Sequence, residues 1–210
     1  MEAGVGSDRI FVHRSRSSNK KNMCMGFMIN EADSLGDDKT VDYVKGGIAS
    51  LVEGCSKLEI PCYVMGYSFE NGIINHNHYV TWDNSEEKQT SLVNLKKSEG
   101  CFDGYSIRYF VDNIVSSRTE EHKIVMVISG GLPTQTFEGI DFEEDLKQTC
   151  SLFHRKNNID FTGVVIGNSD EGFRRIFGGK KCSLIPETFN STAYPNIMAK
   201  AVCETVRGWE

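Results

Sequence analysis

Four stretches of this chain carry apolar side chains on nearly every residue rather than on alternate ones: Met23–Ile29, Cys62–Phe69, Ile124–Ile128 and Phe161–Ile166. A strand greasy on both faces needs cover on both sides. A parallel sheet sandwiched between helices supplies that cover. Between these runs lie segments with apolar residues at three- and four-residue spacing, the mark of helices with one buried stripe. Thr40–Leu58 buries Val41, Val44, Ile48, Leu51, Val52 and Cys55 on such a stripe, and Gly104–Arg118 does the same with Ile107, Phe110, Val111, Ile114 and Val115. Further helices are expected over Phe142–Asn157, over Ser169–Phe177 with its Ser-Asp-Glu start, and over Pro195–Val206 with proline in the first turn. A fifth strand is expected at Cys182–Ile185 and a short edge strand at Tyr79–Trp82. Strands alternating with helices in this way specify an α/β, doubly wound, mostly parallel sheet.

The expected organisation is a polar N-terminal arm over residues 1–22, with Arg14, Arg16, Lys20 and Lys21, followed by a single domain over 23–210. A polar surface insertion spans roughly residues 70–100, with a charged helical stretch near Glu86–Lys97. The net charge of −6 argues against a general nucleic-acid surface. The seven cysteines are odd in number, widely spread and lack any Cys-x-x-Cys pair, which argues against a disulfide framework or zinc ribbon. A reducing, cytoplasmic setting is the natural expectation for such thiols. No leader-type apolar segment is expected, and no run approaches the roughly 20 residues of a membrane span.

Chemistry is expected at the carboxyl ends of the strands, where an open parallel sheet gathers its loops. Asn30-Glu31-Ala32-Asp33-Ser34 follows the first strand, and Ser129-Gly130-Gly131-Leu132-Pro133 follows the run Ile124–Ile128. Cys101-Phe102-Asp103-Gly104 opens a helix that can start at the same rim. Hard cations such as Mg²⁺ take carboxylate and hydroxyl oxygens, and these loops hold part of such a set. Simpler roles stand beside that one: Ser34 and Asp103 as helix caps, and Gly130 and Gly131 as turn formers.

In order and spacing these loops resemble the von Willebrand factor A domains, whose metal-dependent adhesion site reads Asp-x-Ser-x-Ser after the first strand. The family adds a threonine or aspartate from a middle loop and an aspartate from a (Thr/Ser)-Asp-Gly-x-Pro loop. Asp103-Gly104-Tyr105-Ser106-Ile107 and Ser129–Pro133 are most similar to the C-terminal domain of the cobaltochelatase subunit CobT. Tyr63-Val64-Met65-Gly66-Tyr67-Ser68 resembles the family's second strand. On this alignment Ser34 and Asp103 match ligand positions, Asn30 offers an amide in place of a carboxylate, and Ala32 and Gly130 offer nothing. The resemblance therefore implies a degenerate adhesion site at Asn30, Ser34 and Asp103 that binds Mg²⁺ weakly at most. It also implies a partner-binding rim made of Glu31, Asp33, Gly104, Ser129, Gly130 and Gly131. The implied function is a non-catalytic protein-interaction module, an adaptor or client-recruiting companion of a MoxR- or CobS-like AAA+ ATPase. A subunit of a CobT-like chelatase complex and a structural scaffold remain as alternatives.

Other constellations are weaker. His76 and His78 in Asn-His-Asn-His could present two ligands from one strand face, but a polar loop is the simpler expectation. Gly178-Gly179-Lys180-Lys181 lacks the order of a phosphate-binding loop. His122 and His154 have no serine or cysteine nucleophile signature near them, no Gly-x-Ser-x-Gly occurs, and no catalytic residue is assigned.

Overall fold

The computed structural model describes residues 22–83, 90–133, 136–153, 159–167, 171–177, 181–186 and 190–208. All of the expected N-terminal arm except Asn22, together with the Ser169 helix start, His154 and Gly178–Lys180, lies outside these residues. The sheet is built from β1 (Met23–Asn30), β2 (Cys62–Glu70), β3 (Ile73–Val80), β4 (His122–Ser129), β7 (Ile159–Ile166) and β8 (Cys182–Ile185), in the order β3-β2-β1-β4-β7-β8. All neighbours are parallel except β3, which pairs antiparallel with β2. A separate two-stranded ribbon joins β5 (Thr136–Phe137) to β6 (Ile140–Asp141).

The two greasy faces of the central strands are covered as their pattern requires. Phe27, Ile29, Met126 and Ile128 pack under α1 (Asp38–Lys57) and α5 (Ala193–Arg207). Met28, Val125 and Val127 pack under α2 (Asp103–Phe110), α3 (Phe142–Phe153) and α4 (Glu171–Ile176). Helix α1 starts where Asp37 accepts from the backbone N–H of Thr40 at 2.7 Å, and its buried stripe is the one the spacing predicts. Helix α2 continues into one π turn over Val111–Val115, where Ser116 N–H reaches back to the Val111 carbonyl at 2.8 Å.

The segment expected to be a polar insertion is partly sheet. Instead of a short strand at Tyr79–Trp82, β3 runs over Ile73–Val80 and forms a hairpin with β2. Its two-residue turn is Asn71-Gly72, with φ of 51° and 77°, the left-handed pair that lets a hairpin follow the strand twist. His76 and His78 consequently lie on a strand rather than in a loop. Of the stretch expected to be helical near Glu86–Lys97, the described part is a 3₁₀ turn at Thr90–Asn94 followed by non-helical chain. No helix among the described residues is long and apolar enough to cross a membrane.

Gly26, in the middle of β1, lies directly beneath the ring of Phe110, and a Cβ there would overlap the ring edge. Phe110 is fully buried and cannot swing away cheaply. Gly26→Ala should therefore lower stability by about 1–3 kcal/mol in urea unfolding. An unchanged midpoint would show that α2 is not seated this closely on β1.

Candidate functional site

The carboxyl ends of β1 and β4 and the start of α2 converge, because β1 and β4 are adjacent parallel strands and α2 packs across them. Asn30, Asp103 and Ser129 are brought together there, and each is fully buried. The Asn30 amide nitrogen donates to Asp103 Oδ1 at 3.2 Å and to Ser129 Oγ at 3.1 Å. Its amide oxygen accepts from the Ala32 N–H at 2.8 Å. These partners fix the amide orientation: Ala32 can only donate to it, and a carboxylate can only accept.

Every group around the amide is committed. Ser129 Oγ donates to the Gly131 carbonyl at 2.9 Å and accepts from the Gly131 N–H at 3.2 Å as well as from Asn30. Asp103 Oδ1 also accepts from the Tyr67 hydroxyl at 2.6 Å, and Oδ2 accepts from the Cys101 thiol at 3.0 Å. Burial pushes the Asp103 carboxyl above its ordinary value, while the donors Cys101, Tyr67 and Asn30 pull it back. Burial, and then the adjacent Asp103, pushes the Tyr67 hydroxyl and the Cys101 thiol well up, so both stay protonated as donors.

Two roles considered for these residues are not found. Asp103 does not cap α2: no side-chain cap closes that helix, and the carboxylate points down into the network instead. Ser34 does not cap α1, which Asp37 does; it sits exposed in a 3₁₀ turn at Asp33–Leu35. Ser34 meets the third loop through its backbone. A Cβ on Gly130 would fall inside the Ser34 carbonyl oxygen, so Gly130 is the close-approach point of the two loops. Gly131 follows with φ of 141°, where a side chain would be strained.

The rim residues expected to face a partner divide into two groups. Asp33 is exposed, as is Ser34 beside it, which was expected as a metal ligand, and Gly130 is half-buried. Ser129 and Gly131 are buried in the network, and Gly104 is buried where α2 closes on Asp145 of α3. Glu31, expected on the rim, is turned inward and is 1% exposed. It accepts from Asn77 Nδ2 at 2.7 Å and from the Tyr79 hydroxyl, both on β3. Gly66 on β2 makes room for it, since a Cβ there would overlap the Glu31 carboxylate. Burial raises the Glu31 carboxyl above its ordinary value, against the opposing effect of Tyr79 and Asn77.

The histidines on β3 are also occupied. His78 Nδ1 meets the Tyr63 hydroxyl at 3.0 Å, and His76 Nε2 meets Ser106 Oγ at 3.2 Å while its ring stacks on Tyr109 at 4.2 Å. Burial, and then His78, lowers the His76 pKa to about 4, so it is neutral at pH 7. Tyr67, Asn77 and Tyr79 are site residues that sequence reading missed, and Cys101 was placed on the rim without a role. The one signal available was Gly66, a glycine inside an otherwise bulky strand, which marks a close approach.

This donor set does not fit the cation that the adhesion-site resemblance implies. The amide nitrogen of Asn30 has no lone pair to give, its oxygen faces the other way, and Ala32 and Gly130 contribute no side-chain oxygen. The single carboxylate already receives three hydrogen bonds. Among the described residues no three His, Cys, Asp or Glu side chains form a metal-holding group.

No protein-family model and no curated protein matches the sequence. Similar solved structures include the vWF domain of the type V pili tip protein Mfa5 from Porphyromonas gingivalis, at TM-score 0.67 and 8% identity over 86% of this chain and 95% of that one. The SpRpn10 VWA domain is similar at TM-score 0.58 and 14% identity, over 86% and 93% of the two chains. Proximal thread matrix protein 1 from the mussel byssus is similar at TM-score 0.64 and 9% identity, over 87% of this chain but 46% of its own. This chain likewise spans only 30% of the pilus adhesin SpaC from Lactobacillus rhamnosus GG. At such low identities these likenesses show the fold, and the fold is that of a von Willebrand factor A domain.

Two measurements probe the buried network. Asn30→Asp replaces both donated hydrogen bonds with a second carboxylate against Asp103, and should cost about 2–4 kcal/mol at neutral pH. That loss should shrink as acid protonates one of the pair; a neutral substitution would show that the amide does not donate to Asp103. Glu31 has a raised folded-state pKa, so its contribution is fully present below the ordinary carboxylate value and is lost as pH rises through the raised one. Urea unfolding between about pH 4 and about pH 7 should therefore show a shallower decline for Glu31→Gln than for the wild type. Equal slopes would show that Glu31 is not held in a costly burial.

Proposed function

We propose that this chain is a non-catalytic protein-interaction module that engages its partner at the carboxyl rim of the sheet, through direct contacts and not through a shared divalent cation. The observation that carries the reading is the Asn30 amide donating to both Asp103 and Ser129, at the place where the fold's adhesion site would gather ligands around a metal. A closed hydrogen-bond network of this kind holds the three loops in one arrangement. It leaves Asp33 and Ser34 on the surface as the contact points. Protein interaction is a common use of this fold, and SpaC, one of the similar structures, is described as a pilus adhesin.

The finer assignment, a client-recruiting companion of a MoxR- or CobS-like AAA+ ATPase, rests on the resemblance of Asp103-Gly104 and Ser129–Pro133 to the CobT type. A reducing, cytoplasmic setting is supported by seven cysteines that are all free thiols, six of them buried. Immobilised wild-type chain should retain its partner from native extract equally well in magnesium and in EDTA. Asp33→Arg combined with Ser34→Arg should abolish retention while leaving the melting temperature in place. Retention lost on chelation would overturn the cation-independent reading, and retention unaffected by the double variant would remove the partner from this rim.

A further inference from the structure

We infer that one lip of this rim, formed by the β2–β3 turn and the β5–β6 ribbon, is a docking surface for a basic segment of a partner protein carrying an aliphatic or aromatic anchor; the inference rests on the interaction-module reading and names its partner's chemistry. Seven large hydrophobic side chains are exposed among the described residues, and four of them, Ile73, Tyr105, Phe137 and Ile140, gather on this lip. Scattered exposed hydrophobics need no explanation, but a contiguous group does.

The contiguity is direct. Phe137 and Ile140 are cross-strand partners in the ribbon. The Phe137 ring meets Phe69 at 5.2 Å between centroids and lies against Gly72 in the β2–β3 turn, next to Ile73. Phe69 in turn meets Phe102 at 6.3 Å, and Phe102 meets Tyr105 at 5.9 Å. Phe142, fully buried beneath, stacks on Phe102 at 4.0 Å and gives the patch a rigid floor. Rigid aromatic surface of this kind anchors partners at low entropic cost.

The border of the patch sets the charge of its occupant. Glu70 and Asp141 flank the apolar residues, Glu138 stands in the ribbon turn, and Glu144 is in the first turn of α3; all four are exposed. No ion pair among the described residues engages them, although Ser98 donates to Glu70 at 3.4 Å, Asp141 accepts from the Glu144 N–H at 3.0 Å, and the Glu144 carboxylate accepts from Gln148 Nε2 at 3.2 Å. Of the nearby cations, Lys147 pairs directly with Glu143 at 2.8 Å and also feels Glu144 and Asp141, one positive charge against several carboxylates, while Arg108, near the Tyr105 ring, pairs with Asp145 at 2.7 Å. An apolar floor with a net-negative carboxylate border complements lysine or arginine placed beside a hydrophobic anchor, and repels an acidic segment.

The test uses the whole chain and a fluorescein-labelled short peptide of alternating lysine and leucine, read by anisotropy near physiological salt. The peptide should bind. Counterparts with leucine replaced by serine, or lysine by glutamate, should not. Phe137→Ser with Ile140→Ser should weaken binding about tenfold, as should Glu138→Lys with Glu144→Lys. Leu152→Ser, at a leucine more exposed than Phe137 or Ile140 and toward the other end of α3, should change nothing. Absence of binding, equal affinity in the patch variants, or an equal loss in Leu152→Ser would overturn the inference. The two readings fail separately. A native partner lost from the Asp33 and Ser34 variant but kept by Phe137→Ser with Ile140→Ser would remove the patch and leave the module. Peptide binding with no native partner retained would do the reverse.

Discussion

Two hydrogen bonds from one carboxamide organise this molecule. In the fold's adhesion site, loops from two strands and a helix start are drawn together by a cation that several oxygens share. Here the Asn30 NH₂ group offers one proton to Asp103 and the other to Ser129, while its oxygen holds the Ala32 N–H. A neutral donor joins the loops without an ion, provided that every buried polar atom around it finds a partner. Tyr67 and Cys101 complete the set on the Asp103 carboxylate, and Gly131 completes it on Ser129. A network satisfied in this way specifies one arrangement, whereas a half-satisfied one would be worse than an apolar core.

The absence of a side chain at Gly130 is part of the same arrangement. The loop after β4 can close on Ser34 only because Gly130 has no Cβ. Any side chain there would push the two loops apart. The same logic recurs on β2, where Gly66 yields its space to the inward-turned Glu31.

Much of the fold was legible because the governing signal is hydrophobic period. Met23–Ile29, Ile124–Ile128 and the stripe from Val41 to Cys55 could bury their side chains in only one way, and strand β8 kept its expected bounds. The hairpin was missed because β3 is polar: Asn75, His76, Asn77 and His78 carry no apolar alternation, and Asn71-Gly72 was the one turn signal present. At the site, Asn30, Asp103 and Ser129 could be placed on one rim from topology. Which way Glu31 would point could not, because it depends on Tyr79 and Asn77 from a strand the pattern hid. Donor and acceptor direction is likewise invisible in a one-letter string. The same Asn30 could have turned its oxygen toward a metal.

Calorimetric titration of Mg²⁺ into the full chain at neutral pH tests most directly whether the Asn30 amide holds these loops together without a cation. No saturable heat is expected into the millimolar range, since the site has one carboxylate, already receiving three hydrogen bonds, and no open oxygen cage. Stoichiometric binding tighter than about 100 micromolar, abolished by Asp103→Asn, would contradict it, because a cation would then be holding the loops that the amide is said to hold.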